Sequence, residues 1–362
     1  MSGNNVKKKV LIVDDSRTAR EILAQIIDSF DDFEVIGKAG DPFEAHSIMK
    51  QRMPDIITLD IEMPKMDGLT FLDKLMRGVP LPVIMISSLT TENAAYTLKA
   101  LELGAVDYIL KPDGESSLSE VAQIVHDKLV AASLVPRSWL NLHKHRQKDE
   151  SLTTLSRQTI KLVPLDETVR MSSDTSVIFI GASTGGTVVI EKLLSSLDYR
   201  VMPPIMIVQH IPPFFSKSFA DRLDKLYPFN VSEAENGYLI KKGDVIIAKG
   251  GSHLLIQKTP EGYKTLVKKG PKVNRHQPSV DVLFKSAASV VRGNAVGVIM
   301  TGMGCDGASG LEDMKKNGAV TIAQDRYECA VSGMPKAAIA KGIVDKEFDI
   351  KRMTEYLNAL YS

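Results

Sequence analysis

The chain has little of several things, and each shortage closes off a class. It has two cysteines in 362 residues, Cys305 and Cys329. That excludes a disulfide-stapled secreted fold and points to a reducing, cytoplasmic setting. It has no excess of charge of either sign, since 45 Lys plus Arg against 44 Asp plus Glu leave +1. Net charge alone draws such a chain neither to nucleic acid nor to an anionic membrane. No helix-turn-helix with a basic recognition helix is visible, which argues against a nucleic-acid partner. No apolar run approaches the ~18 residues of a membrane span, so no membrane insertion is expected. The apolar stretch behind the basic N-terminus, residues 10–13, is too short for a signal peptide. No simple repeat unites the two halves. What is there is ordinary globular composition, 44% apolar and 25% charged, over a length that fits two domains.

Short apolar stretches alternate with amphipathic ones through the first third. Residues 10–13, 33–39, 55–59, 83–86 and 106–110 read as strands, and 16–28, 41–52, 70–76, 92–103 and 118–131 as helices. Such alternation predicts a five-stranded parallel sheet with helices on both faces, whose buried strands are continuously apolar. From about 136 to 174 the pattern fails and leaves room for only some local helix, and a loop longer than ~15 residues is unusual inside one compact domain. The expectation is a first domain over 1–132, an interdomain linker over 133–174 and a second domain over 175–362. In the second, strands are expected at 177–180, 205–209, 244–248, 253–257, 263–268, 295–300 and 320–323. Helices are expected at 187–197, 216–226, 280–291, 311–316 and 336–340. The expected fold class is α/β, with two doubly wound parallel-sheet domains, the second the larger.

Polar residues gather at the carboxyl ends of the first domain's strands, where open parallel sheets bind ligands. Asp14 and Asp15 follow the first strand, Asp60 ends the third, Ser87 ends the fourth and Lys111 follows the fifth. Converging carboxylates repel unless a cation sits among them, and Mg2+ prefers such hard oxygens. A lysine beside them pairs with a carboxylate or phosphate, and a serine hydroxyl bonds a phosphoryl oxygen. Taken singly, each has a plainer role: Asp15 as a helix N-cap, Asp60 as a loop acid, Lys111 as a surface charge. Their joint placement at four strand ends favours a site. The stretches VDDS, LDIEMPKMDG, ISS and YILKP resemble the response-regulator receiver family over about residues 7–131. The resemblance implies that Asp60 accepts a phosphoryl group from a histidine kinase. It also implies Mg2+ held by Asp14, Asp15, Asp60 and the carbonyl of Glu62, with Ser87 and Tyr108 as switch residues.

The second domain opens with GASTGG, Gly181 to Gly186, after a strand and before a helix. That fits the sharp G-x-S-x-G turn that lifts a serine above a sheet, although Gly-rich turns also cradle phosphate. A serine hydroxyl needs a base, and His210 ends the next strand at the same edge. His253 and His276 read as well as structural histidines. The base needs an orienting acid. Asp306 in TGMGCDG follows the 295–300 strand, with helix capping as its plainer role and Asp325 as a competitor. The glycines around Asp306 allow close backbone approach, and the Met303 amide can donate into an oxyanion hole. Cys305 has neither an elbow nor a partner and reads as a small buried or loop cysteine. The order Ser, His, Asp differs from the usual α/β-hydrolase order, in which the acid precedes the histidine.

GASTGG, VQHIPPFFSKSFADRL, RHQPSVDVLF and MTGMGCDGASGL resemble the chemotaxis methylesterase domain of the CheB family, over about residues 175–352. The resemblance implies Ser183 as nucleophile, His210 as base and Asp306 as orienting acid. It implies an oxyanion amide from Met303 and help from Thr184 in placing substrate. The reactions implied are demethylation of glutamate methyl esters, with release of methanol, and deamidation of glutamines on methyl-accepting chemotaxis receptors. Both attack a γ-carbonyl, so one triad serves both, without a cofactor. With two sites in one chain, phosphorylation of Asp60 is expected to uncover the serine. A scaffold with a degenerate hydrolase and a DNA-binding regulator are the competing classes.

Overall fold

The computed structural model describes residues 6–88, 90–111, 117–145 and 171–362. The chain divides into two compact units, Met1–Thr154 and Leu155–Ser362.

In the first unit, β1 (Lys8–Val13), β2 (Phe33–Ala39), β3 (Ile56–Asp60), β4 (Val83–Ser87) and β5 (Asp107–Leu110) form one parallel sheet. Its strand order is β2-β1-β3-β4-β5. The helices are α1 (Arg17–Asp28), α2 (Pro42–Gln51), α3 (Gly68–Gly78), α4 (Thr91–Glu102) and α5 (Leu118–Ser133). β3 and β4 are buried at every residue, which is why they read as unbroken apolar runs. Ser16, Asp41, Asp67, Thr90 and Ser117 cap the five helices with their side chains, each cap contributing about 1 kcal/mol. The cap of α1 is thus Ser16, not Asp15. The chain order reverses beside β1, so the switch point lies between Asp14–Asp15 on one side and Asp60 on the other.

A further helix, α6 (Arg137–His145), packs on α3 and buries Trp139 and Leu140. The linker expected over 133–174 therefore begins with a helix of the first unit. Nine residues give too little periodicity for that helix to register in the sequence. Residues 146–170 of the expected linker lie outside the described residues.

The second unit contains β6 (Val177–Ala182), β7 (Ile205–Gln209), β8 (Asn230–Glu233), β9 (Asp244–Ile247), β10 (His253–Thr259), β11 (Gly262–Lys268), β12 (Ala295–Ile299), β13 (Val320–Gln324) and β14 (Lys346–Phe348). Its helices are α7 (Gly186–Leu194), α8 (Phe215–Leu226), α9 (Val280–Val290), α10 (Ala308–Lys316), α11 (Gly333–Ala340) and α12 (Ile350–Tyr361). Seven strands make a parallel sheet in the order β14-β13-β12-β6-β7-β9-β8. The order reverses beside β6, so residues after β6 face residues after β12 across a second switch point. β10 and β11 form a separate antiparallel hairpin. The Gly250–Gly251 turn thus joins two different sheets, where adjoining strands are expected from the sequence.

β8 and β14 are short edge strands of polar, partly exposed residues and leave no apolar run to read. α12 does carry a signal: Asp349 caps it, and Ile350, Met353, Leu357 and Leu360 are buried at helical spacing. α9 shares one core with β6 and β7, through Val280, Leu283, Phe284 and Ala287 with Phe179, Met206 and Val208. Full burial of each large apolar side chain stabilises by about 1.5–3 kcal/mol. Gly181 lets α9 close on β6, since a Cβ there would come within 2.2 Å of Val280 Cγ1. Among the described residues, no helix is long and apolar enough to cross a membrane.

Candidate active site

β6 delivers Ser183 to the carboxyl edge of the sheet, and the chain turns at Gly185 with a φ of 76°. The turn is pinned through its backbone. Ser183 N–H donates to Thr301 O at 2.9 Å, and Gln209 Nε2 donates to Ser183 O at 2.8 Å. Gly186 admits that glutamine, because a Cβ at 186 would lie 2.0 Å from Gln209 Oε1. Ser183 is 7% exposed and Thr184 is buried beside it. Thr184 O accepts from Thr301 Oγ1 at 2.9 Å.

His210 follows β7, and its N–H donates to Ala182 O, one residue before the serine. Its Nε2 lies 2.8 Å from Asp306 Oδ2, while its buried Nδ1 has no hydrogen-bond partner. The ring meets Asp306 through Nε2 and turns Nδ1 away from it, whereas in the chymotrypsin triad the acid sits on Nδ1. Nδ1 makes no bond to the Ser183 hydroxyl in this state, and such contacts commonly tighten only when substrate binds.

Asp306 lies in the loop between β12 and α10, with both oxygens engaged. Oδ1 accepts from Asn274 Nδ2 at 2.7 Å, Ser279 Oγ at 2.8 Å and Asp281 N–H at 3.2 Å. Oδ2 accepts from Val280 N–H at 2.7 Å in addition to His210. Val280 and Asp281 open α9, so the carboxylate sits at the positive end of that helix. Burial opposes its charge. The bonds to His210, Asn274 and Val280 outweigh burial and hold the carboxyl well below the usual range. Asp306 therefore meets His210 and also caps a helix, and that helix is α9, whereas α10 starts from Gly307. The competitor Asp325 is committed to its own turn, its Oδ1 accepting from Tyr327 N–H.

A hairpin at 273–276 is absent from the sequence expectations. Val273 and His276 exchange both backbone hydrogen bonds around Asn274 and Arg275, whose φ values are 51° and 69°. Two adjacent left-handed residues make a tight turn that asparagine tolerates better than most. The turn sends Asn274 Nδ2 to Asp306 and Asp281. It also lays the His276 ring flat on His210, with 3.7 Å between centroids and 11° between planes. His253 supports the base of this segment, accepting at Nδ1 from Ser279 N–H, with Nε2 beside Pro271 O. His253 is thus structural, whereas His276 touches the imidazole of the site. The one local signal was an asparagine before an arginine in VNRH.

Across from this hairpin, Gly302 packs on the serine, since a Cβ there would approach Ser183 Cβ to 2.7 Å. Met303 follows in the same turn, half-buried, and Gly304 bends the chain with a φ of 82°. Cys305 is exposed; Cys329 is buried, and burial pushes its thiol up to about 12.

At the sheet edge of the first unit, Asp14, Asp15 and Asp60 each bring a carboxylate oxygen within 4.8 Å of the others. Gly68 makes room for this, since a Cβ there would lie 2.0 Å from Asp60 O. Lys111 Nζ reaches Asp60 Oδ2 at 2.8 Å and Asp14 Oδ2 at 3.3 Å. Burial pushes the Asp60 carboxyl up to about 6 against the pull of Lys111, and the Asp14 charge adds to the rise. Three hard oxygens under mutual repulsion fit a divalent cation. Ser87 is buried, its Oγ accepting from Thr97 Oγ1 at 2.8 Å, and Tyr108 is buried on β5, in register with Met85 of β4. Glu62 is exposed in the loop that leaves β3.

Fold and sites together define a two-domain class, with a receiver-type carboxylate cluster on one sheet and a serine-hydrolase arrangement on the other. Residues 10–123 match the response regulator receiver domain, and residues 178–357 match the CheB methylesterase family. A protein-glutamate methylesterase/protein-glutamine glutaminase of Thiobacillus denitrificans is 48% identical over 342 residues, covering 93% of this chain and 92% of that one. A protein of the same description from Photorhabdus laumondii is 45% identical over 356 residues, covering 98% and 97%. The crystal structure of the Thermotoga maritima CheB methylesterase catalytic domain matches with a TM-score of 0.50 at 37% identity, covering 51% of this chain and 98% of that one. The chain belongs to the CheB family of protein-glutamate methylesterases, a hydrolase domain combined with a response-regulator receiver.

Proposed function

We propose that the chain is a phosphorylation-activated hydrolase that demethylates glutamate methyl esters and deamidates glutamines on methyl-accepting chemotaxis receptors. The observation that carries this is the ion pair of His210 and Asp306 at the sheet edge that holds Ser183. In this reading His210 Nδ1 takes the Ser183 proton as Oγ attacks the γ-carbonyl. Asp306, kept ionised by its donors, steadies the imidazolium. The Met303 amide donates to the oxyanion, lowering the barrier by about 3 kcal/mol. Thr184 places the substrate. The imidazolium then protonates the departing methanol, or the ammonia released from a glutamine. A water deprotonated by His210 frees the acyl group and restores the serine. No cofactor enters the hydrolysis.

In the receiver, Asp60 takes a phosphoryl group from a histidine kinase. Asp14, Asp15, Asp60 and the Glu62 carbonyl hold Mg2+, which when bound neutralises charge during phosphoryl transfer. Lys111, already paired with Asp60, turns to the phosphate, and Ser87 and Tyr108 respond to the added charge. That response uncovers Ser183. The protein acts in the cytoplasm, peripheral to membrane receptors, with no nucleic-acid partner.

Methanol release from a methylated receptor tests this. Wild type with a phosphodonor releases methanol, Ser183→Ala does not, and Asp60→Ala stays at the unphosphorylated rate. Release that survives Ser183→Ala overturns the proposed chemistry. The fragment 175–362 is expected to outpace the unphosphorylated full chain, and equal rates would remove the uncovering step.

A further inference from the structure

Thr301 stands two residues past β12, is fully buried and immediately precedes the Gly302–Met303 turn. Its backbone bonds in both directions. The carbonyl accepts from Ser183 N–H, and the N–H donates to Gln324 Oε1 at 2.9 Å. Gln324 ends β13 and Gln209 ends β7. The sheet order β13-β12-β6-β7 therefore puts one buried glutamine on each side of Thr301 and Ser183. The result is a single row of bonds across four strand ends, Gln324–Thr301–Ser183–Gln209.

The Thr301 hydroxyl joins further segments. Oγ1 accepts from Val331 N–H at 3.1 Å and faces two carbonyls, Thr184 O at 2.9 Å and Val331 O at 3.1 Å. A hydroxyl has one proton to give. Val331 O already receives Gly302 N–H at 2.8 Å, so the proton goes to Thr184 O, the shorter contact. Thr184 follows the serine, and Gly302 precedes Met303. The hydroxyl thus ties the residue after Ser183 to the segment that carries the Met303 turn. That segment grips the turn closely. Gly302 O accepts from Met334 N–H at 2.9 Å, and a Cβ at Gly333 would lie 2.8 Å from Gly304 N. It touches the Ser183 turn as well, where a Cβ at Gly185 would meet Ala330 Cβ at 2.6 Å. The β6–β12 ladder ends at Gly181 and Ile299, short of both turns, so other bonds set their separation. An oxyanion donor works within about 2.7–3.1 Å of the oxygen it stabilises, and a misplacement of ~1 Å costs about 10^2-fold. Filling the space does not secure that distance, since valine fills it as well as threonine does. What valine lacks is the bonded proton and lone pairs.

We propose that Thr301 is a positioning residue of the hydrolysis, its hydroxyl setting the separation between Ser183 Oγ and the Met303 amide while Gln324 holds Thr301 in register. This rests on the methylesterase reading, in which Ser183 attacks and the Met303 N–H receives the oxyanion. The full chain, with Mg2+ and a small phosphodonor throughout, is assayed on a methylated receptor and on p-nitrophenyl acetate. Thr301→Val is expected to lower kcat on both by about 10–100-fold, with KM within about twofold of wild type. Thr301→Ser, which keeps the hydroxyl, retains kcat. Inhibition by a peptide trifluoromethyl ketone, which Ser183 attacks to give a tetrahedral oxyanion, weakens by the same factor as kcat/KM. Gln324→Leu removes the acceptor of the Thr301 N–H and is expected to lower kcat by about fivefold. An unchanged kcat in Thr301→Val overturns the proposal. So does a loss carried wholly by KM, a serine variant as slow as the valine one, or ketone inhibition that stays at the wild-type level. Should Thr301→Val fail to fold, an unchanged kcat in Gln324→Leu overturns it instead. A wild type that cleaves p-nitrophenyl acetate but releases no methanol from the receptor overturns the methylesterase reading, and the p-nitrophenyl acetate rates then decide the role of Thr301 alone.

Discussion

Asp60 and Asp306 occupy equivalent places in two sheets. Each is a buried carboxylate at or beyond the carboxyl end of a parallel strand, beside a switch point in strand order. Their ionisation goes opposite ways. Asp60 has the Ile61 N–H on one oxygen and Lys111 on the other, with the like charge of Asp14 close by. Burial prevails there and the carboxyl rises to about 6. Asp306 gathers three side-chain donors and two amides at the mouth of α9, and its carboxyl falls. Asp60 keeps lone pairs to spare, which suits a carboxylate that attacks a phosphoryl group. Asp306 has none to spare, which suits a group that only orients and stabilises. Topology settles where a carboxylate stands, and the neighbouring loops settle what it can do.

The comparison can be broken from either side. The largest effect is expected for Ser183→Ala, which should lower methanol release by at least ~10^4-fold while leaving phosphorylation of Asp60 intact. Loss of both would mean that the two sites are not separate. Asp306→Asn should lower kcat by roughly 10^3–10^4-fold and also reduce thermal stability, because α9 loses its charged cap. Asp60→Asn should leave p-nitrophenyl acetate hydrolysis by the unphosphorylated chain unaltered. A fourth variant, His276→Ala, removes the ring stacked on His210 and should lower kcat by about tenfold through misorientation. A change confined to KM would place His276 in substrate binding instead.

The smallest effect concerns pH and sharpens the contrast in sign. The Asp60 carboxyl rises from 3.8 to about 6 on folding, so the native receiver binds that proton more tightly than the unfolded chain does. The resulting stability is complete below the unfolded value and is lost as pH rises through about 6. Asp60→Asn should therefore be more stable than wild type at pH 7, by roughly 1–2 kcal/mol after solvent screening. The gap should close as pH falls towards 4. A gap that stays constant over that range would contradict the assignment. Asp306 has the opposite sign. Its contribution is present above the ordinary carboxylate value of 3.8 and is lost as pH falls below it. Acidification from 7 to 5, followed by denaturant melts, should thus move only the transition of the first unit through these two groups.

Much of this was legible along the chain because strand ends are legible. Apolar runs stop where Asp14, Asp60, Ser183 and His210 begin, and a parallel sheet brings those ends to one edge. The donors that separate Asp306 from Asp60 were not legible. Asn274, Ser279 and Val280 come from 26 to 32 positions upstream of Asp306, and a tight turn at Asn274-Arg275 aims one of them. The choice of Nε2 rather than Nδ1 for the acid follows from ring orientation, to which residue order is blind. α12 is absent from the sequence expectations although its spacing and cap carry a signal, whereas α6 shows only once Trp139 is seen to be buried.

Asp306 caps a helix as well as bonding His210, so under the proposed triad an enzyme disabled at the acid would also be a loosened protein, and its failure to bind a partner would be ambiguous. Ser183 differs in this respect. Its turn is fixed through its own N–H and carbonyl, by Thr301, Gln209 and Gly186, and none of those bonds uses the hydroxyl. Alanine at 183 therefore leaves the architecture as it stands and yields bait: a protein that holds its partner in the reactive position without letting it go.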